Sequence, residues 1–174
     1  LHIAKNHAPA EFPALIEERG SWPVLYHLSL QRENIVNWLP ITKDMKVLEI
    51  GSGCGAITGA LSAKAGSVTC VELSRKRSLI NAHRHEDCDN VTIKVGNFKD
   101  IEPDLPADYD YICLIGVFEY GQSYIGGENP FVEFLNILKK HLKSNGRIVI
   151  AIENKYGLKY FAGCMEDHLG TYFS

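Results

Sequence analysis

Three glycines, Gly51, Gly53 and Gly55, alternate with Ser52 and Cys54 directly after the apolar run Lys46-Val-Leu-Glu-Ile50. Glycine at alternating positions lets backbone approach a ligand closely, and a helix opening just beyond such a loop presents unpaired N–H groups. Glu49 stands two residues before the first glycine, and Glu72 stands 21 residues after it, at the end of the next apolar run. A carboxylate at about 20 residues from the loop can accept hydrogen bonds from both hydroxyls of a ribose. The chemistry implied is the holding of an adenosine-containing cofactor. The string Gly51-Ser-Gly-Cys-Gly-Ala56 also satisfies the G-x-G-x-x-A form of dinucleotide loops, so an NAD(P)-dependent oxidoreductase is one reading of these residues.

A second group of chemically able residues follows two later apolar runs. Glu119 and Tyr120 come after the fourth, Glu153 and Asn154 after the fifth. Open α/β sheets bind ligands past the carboxyl ends of their strands, which makes Glu119 the candidate base or substrate ligand. Tyr120, Tyr124 and Tyr156 are candidates to shape a pocket, and His168 is a second candidate base. His83 and His85 fall on a helix expected to face solvent. No Asp, Glu or His cluster has metal-ligand spacing, so no metal is expected.

Composition narrows the partners. The formal net charge is −3, and the basic runs are short, Arg75-Lys-Arg77 and Lys139-Lys140. A nucleic-acid binder would carry a basic face, so none is expected as partner. The five cysteines include no C-x-x-C pair, which points to reduced thiols and a cytoplasmic protein. No apolar run has membrane-spanning length, so no membrane partner is expected.

These residues need elements to hold them. Strands are predicted at residues 46–50, 67–72, 91–95, 109–115 and 147–152. Amphipathic stretches lie between them: one from Ala56 to Lys64, one capped by Ser74 and running to about His85, and one from Pro130 to Asn145-Gly146. Alternation of this kind implies right-handed crossovers and a doubly wound α/β sheet with helices on both faces. Ahead of the first strand, residues 10–19 and 29–38 are predicted as helices separated by Gly20-Ser-Trp-Pro23. Residues 1–40 are therefore expected to form an N-terminal helical cover, and residues 41–174 the core.

Several markers in order resemble the class I, Rossmann-like, S-adenosylmethionine-dependent methyltransferases. Leu48-Glu-Ile-Gly-Ser-Gly-Cys-Gly55 is similar to that family's first motif, with Glu49 in the place of its acid. Val71-Glu-Leu-Ser74, Gly96-Asn-Phe98, Ile115-Gly-Val-Phe-Glu-Tyr120 and Leu142-Lys-Ser-Asn-Gly-Arg-Ile-Val-Ile150 continue the likeness. The resemblance implies S-adenosyl-L-methionine as cofactor and a parallel sheet in the order 3-2-1-4-5. It implies that Gly51, Ser52, Gly53 and Gly55 wrap the methionine part while Glu49 holds the loop or the cofactor's amino group. Glu72 would take the ribose, Leu73 would pack on adenine, and Asn97 and Phe98 would meet the adenine edge and ring. The backbone of Gly116 and Val117 would line the reactive centre, and Tyr26 and Arg32 from the leading helices would contact the methionine end.

The family's terminal antiparallel hairpin is not legible. The core is therefore expected to be truncated, with its fifth strand an exposed edge through which copies of the chain could pair. A cofactor-binding module, inactive without a further domain or partner, is a third reading. The pattern Asn/Asp-Pro-Pro-Tyr/Phe of many methyltransferases acting on adenine and glutamine is missing after the fourth strand. The stretches Gly126-Gly-Glu-Asn-Pro-Phe131 and Ile152-Glu-Asn-Lys-Tyr-Gly157 are similar to bacterial methyltransferases found alongside glycosyltransferases. That likeness implies a small-molecule or glycan-type acceptor and O-methylation of a sugar or surface-glycan precursor.

Overall fold

Strands rich in β-branched and aliphatic residues must bury both faces, and the structure, a computed structural model, shows how this chain does so. It describes residues 1–165 and 170–172 and, of residues 123 and 124, the backbone alone. Five strands, β1 (Lys46–Ile50), β2 (Ser67–Glu72), β3 (Val91–Val95), β4 (Tyr109–Ile115) and β5 (Leu142–Ala151), form one sheet. Their order is β3-β2-β1-β4-β5, and every pairing is parallel. The expected order 3-2-1-4-5 is the one observed.

The helices lie around this sheet. Four short ones precede it: α1 (His2–Asn6), α2 (Phe12–Arg19), α3 (Trp22–Leu28) and α4 (Asn34–Asn37). Then α5 (Thr58–Lys64) follows β1, α6 (Arg75–Arg84) follows β2, and α7 (Phe98–Ile101) follows β3. After β4 come α8 (Gly121–Tyr124) and α9 (Pro130–His141), and after β5 comes α10 (Leu158–Phe161). Alternate strand residues feed opposite cores. Val47, Val68, Tyr111 and Cys113 pack with Leu61 of α5 and Val36 of α4, whereas Leu48, Ile112 and Leu114 pack with Phe134 and Leu138 of α9. A third, small cluster of Phe12, Leu15 and Leu28 joins α2 to α3.

Two expectations differ from what is observed. The second N-terminal helix, expected over residues 29–38, is instead α3, followed by a 3-10 turn at Leu30–Glu33 and the single turn of α4. Pro23 opens α3 because proline's fixed φ and missing N–H suit a helix's first turn, and Ser29 ends it in an extended conformation. The residues expected to break the helix therefore start one.

The helix after Pro130 ends at His141, not at Gly146, and β5 begins at once. Gly146 lies inside β5, where a Cβ would come within 2.9 Å of the Tyr109 carbonyl oxygen. Its smallness admits close approach to β4 rather than a helix cap. The register slips here, with Tyr109 opposite Leu142 but Tyr111 opposite Arg147.

Candidate functional site

The carboxyl ends of β1, β2 and β4 meet in one cleft of about 860 Å³. The β1–α5 loop forms its floor. Gly51 N–H donates to the Val71 carbonyl at 2.8 Å, and Gly53 N–H donates to Glu72 Oε2 at 2.9 Å. Glu72 Oε1 accepts from Ser74 N–H at 2.8 Å. The acid thus clamps the loop to the start of α6, and each oxygen keeps further lone pairs for a ligand. Gly51 has φ +71°, and a Cβ there would stand 2.3 Å from Val117 Cγ2. Only glycine satisfies both the left-handed backbone and the contact with β4's end.

Glu49 is buried beneath the loop and borders the cleft. Thr58 Oγ1 donates to its Oε2 at 2.7 Å, and Cys70 Sγ donates to the same oxygen at 3.4 Å. Burial pushes the Glu49 carboxyl up to about 7, opposed by those two hydrogen bonds and by the Arg32 charge. Asn81 Nδ2 donates to Thr58 Oγ1 at 3.1 Å, and His85 Nδ1 lies 2.7 Å from Asn81 Oδ1. His85, expected on a solvent face, is half-buried, and burial beside the Arg84 charge lowers its imidazole to about 4.

The opposite wall comes from the end of β4 and from α3. Gly116 has φ +67°, and a Cβ on it would lie 3.7 Å from the Tyr26 hydroxyl and 3.9 Å from Glu119 Oε1. Tyr26 and Glu119 therefore converge over the backbone at the end of β4. The Arg32 guanidinium stacks 4.0 Å from the Tyr26 ring centroid and donates to the Tyr26 carbonyl at 3.2 Å. Trp22 packs its ring 5.9 Å from that of Tyr26 and borders the cleft.

The residues singled out from sequence divide cleanly. Glu49, Gly51, Ser52, Gly53, Glu72, Leu73, Phe98, Gly116, Val117, Glu119, Tyr26 and Arg32 all border the cleft, as do Tyr120 and Glu153. Leu73 is 54% exposed there, a bare apolar surface beside the ribose acid. Phe98 is buried against Phe134, ring centroids 5.5 Å apart, and shows the cleft only part of its ring.

Four candidates stand elsewhere. Gly55 sits behind the loop, where a Cβ would strike Asn81 Oδ1 at 2.3 Å. Asn97 does not border the cleft: its carboxamide oxygen accepts from Lys99 N–H at 3.1 Å and caps α7. Asn154 accepts from Tyr156 N–H, and neither borders the cleft. Glu153 accepts from Lys159 Nζ at 2.6 Å and so meets the cleft already paired. His168 and the Tyr124 side chain lie outside the described residues.

Other residues at the site gave no signal in the sequence. Arg84 Nη1 donates to the carbonyls of His27 and Cys54, at 2.7 and 2.9 Å, tying α3 to the glycine loop. Arg77 and His27 also border the cleft, and burial with three neighbouring arginines holds His27 below the usual imidazole range. Among the described residues, no group of three His, Cys, Asp or Glu could hold a metal ion, and no helix is long and apolar enough to cross a membrane.

Comparison with known proteins bears on the same segment. The profile of a family described as "Methyltransferase domain" matches residues 48–148, more than half the chain. Ribosomal RNA small subunit methyltransferase A of Streptococcus pneumoniae is 28% identical over a 147-residue alignment covering 70% of this chain and 49% of that protein. The chain thus spans about half the length of the curated relatives it matches. Among solved structures, Haemonchus contortus phosphoethanolamine N-methyltransferase 1, with phosphoethanolamine and S-adenosylhomocysteine, has a TM-score of 0.63 at 18% identity, over 90% of this chain and 35% of that one. A methyltransferase of Thiobacillus denitrificans in complex with S-adenosylhomocysteine has a TM-score of 0.56 at 18% identity, over 70% of this chain and 48% of that one. With strand, glycine loop and ribose acid in the matched segment, the chain belongs to the methyltransferase-domain family, the class I group whose Rossmann-like core uses S-adenosylmethionine.

Proposed function

We propose that the cleft binds S-adenosyl-L-methionine and that this chain transfers its methyl group to a small or medium acceptor lying against Glu119, Tyr26 and Trp22. The observation that carries the reading is the convergence of the glycine loop, Glu72, Glu49 and the end of β4 on one cleft. The donor fits the charges present. Glu49 suits its amino group, Glu72 its ribose and Arg32 its carboxylate, while Leu73 and the edge of Phe98 offer apolar surface for adenine. Bound, the donor supplies a methyl carbon already activated by its sulfonium. The protein must then add alignment, water exclusion and, for an acceptor that arrives protonated, a base. The position of Glu119 beside Gly116 and the Tyr26 hydroxyl supports the reading that it performs that last task.

The acceptor is proposed to be a small molecule rather than RNA. The curated relatives act on ribosomal RNA, but this chain carries Ile115-Gly-Val-Phe118 where the Asn/Asp-Pro-Pro-Tyr/Phe pattern would stand, and its net charge is −3. A sugar or other hydroxyl acceptor would depend on Glu119, although those relatives do not point to a sugar. The matched length also favours a second arrangement, in which a further domain or partner supplies acceptor recognition.

Calorimetry with S-adenosylmethionine, S-adenosylhomocysteine and NAD separates the readings. Both adenosyl ligands are expected to bind and NAD is not. Binding of NAD alone would return the oxidoreductase reading. Tight adenosyl binding without turnover on a broad acceptor panel would favour the partner-dependent module. Glu119→Gln is expected to lower kcat while leaving S-adenosylhomocysteine affinity within about threefold, because the acid faces the acceptor. An unchanged kcat would remove its role as base.

A further inference from the structure

Beneath the glycine loop a line of polar side chains runs from the cleft to the far end of α6. Its polarity is set by one backbone group. His85 Nδ1 lies 3.1 Å from the Asn81 carbonyl oxygen, which can only accept, so Nδ1 carries the proton. The Asn81 side-chain atom 2.7 Å from that nitrogen must then be the oxygen, which turns Nδ2 toward Thr58. Thr58 Oγ1 accepts from Nδ2 and directs its own hydrogen to Glu49 Oε2, 2.7 Å away. Cys70 donates to the same oxygen. Every described hydrogen bond to the carboxylate therefore converges on Oε2 and none on Oε1, in a residue that borders the cleft.

We propose that Thr58, Asn81 and His85 are positioning residues for the methyl donor, a one-way hydrogen-bond relay that fixes Oε2 of Glu49 and presents Oε1, charged, to the ligand. The inference rests on the reading that the cleft takes an adenosyl donor. Packing supports the relay as a built feature. Asn81 is fully buried on α6, and a Cβ on Gly55 would strike its Oδ1 at 2.3 Å. A Cβ on Gly59 of α5 would come within 2.8 Å of His85 Nε2. Two glycines thus leave room for the relay and for nothing bulkier.

The groups facing Glu49 are few. Cys70 of β2 and Cys113 of β4 are held as neutral thiols by burial, Cys113 pushed up to about 12. Arg32 favours the carboxylate and Glu72 disfavours it. Burial, helped by the Arg84 charge beside it, keeps His85 neutral, so that the relay's far end adds no charge of its own. Titration of Glu49 near neutrality then makes donor affinity fall as pH drops through about 7.

Calorimetric titration of S-adenosylhomocysteine between about pH 6 and 8.5 tests this. In the wild type, affinity is expected to fall on the acid side. Thr58→Val keeps the shape and removes the hydroxyl, so the midpoint should move up by about one pH unit, with about threefold weaker binding at pH 7.5. Asn81→Asp turns an acceptor toward Thr58 and draws its hydrogen away from Glu49, giving a shift of the same sign. His85→Leu removes the N–H donor to Asn81 Oδ1 and should move the midpoint up as well, by less than Thr58→Val. Thermal unfolding of each variant reports folding separately.

Failure of the wild type to bind the ligand would overturn the donor reading and the relay with it. Wild-type binding with a flat pH profile, or a folded Thr58→Val with an unmoved midpoint, would overturn the relay alone. If Asn81→Asp does not fold, Thr58→Val and the wild-type profile still decide.

Discussion

At the scale of single residues, the site depends on atoms that are absent as much as on those present. Gly51 combines φ +71° with a Cβ position 2.3 Å from Val117 Cγ2. Gly51→Ala is expected to cost about 1–2 kcal/mol for the left-handed backbone and roughly 1–3 kcal/mol for the overlap. Val117→Ala in the same chain should recover the second part and not the first. A double-mutant cycle by urea denaturation reads the difference, and additive effects would show that the two residues do not meet. The glycines, Glu49 and Glu72 were legible in the sequence because their spacing is local to one strand–loop–helix unit. Thr58, Asn81 and Arg84 were not. Each is an ordinary helix residue until α5 and α6 dock, when Thr58 and Asn81, 23 positions apart, share a hydrogen bond. Asn97 stands outside the cleft lining for a related reason. A residue after a strand can serve a ligand or its own helix, and the Lys99 N–H decides for the helix.

Among the elements, the strands were legible and the N-terminal helices were only partly so. Periodic apolar runs announce a buried parallel sheet, whereas Pro23 reads equally as a break or a start. What fixes α3 is tertiary: Leu28 packs on Phe12 and Leu15, and Arg84 reaches across from α6 to the His27 and Cys54 carbonyls. The Arg84 side chain also lies 5.3 Å from the Phe12 ring centroid. It is therefore the main polar tie between the helical cover and the glycine loop. Arg84→Met would retain most of the packing but leave two carbonyls short of a donor, a loss of about 1–3 kcal/mol for each that stays dry. Hydrogen exchange should rise in residues 12–28 while β1 and β4 stay protected. Affinity for S-adenosylhomocysteine should fall, because Trp22 and Tyr26 form a wall of the cleft. Unchanged exchange in residues 12–28 would show that the cover is held by its own small core.

For the whole molecule, the two ends of the relay oppose one another in their effect on stability. Glu49 has a folded value near 7 against 4.5 for the free group, so the fold holds its proton more tightly than the unfolded chain. Its penalty is absent below pH 4.5, grows as pH rises, and is complete above 7, where it is on the order of 3 kcal/mol. His85 has a folded value near 4 against 6.5, so its penalty is absent above pH 6.5 and grows as pH falls toward 4. It is half-buried, and its contribution is the smaller of the two. Between pH 4.5 and 6.5 the slopes oppose, and the wild type should show little net dependence from this pair. Each variant then unmasks the other end. His85→Gln should gain stability as pH falls from 7 to 4.5, following Glu49 alone. Glu49→Gln should be more stable than wild type at pH 7.5 and lose stability on acidification from 6.5 to 4, following His85 alone. Urea unfolding at three pH values distinguishes these signs, and parallel profiles for the two variants would refute the account. The same substitution that stabilises the empty fold, Glu49→Gln, should weaken S-adenosylhomocysteine binding. A buried carboxylate that costs the fold stability is best understood through the ligand that its charge meets.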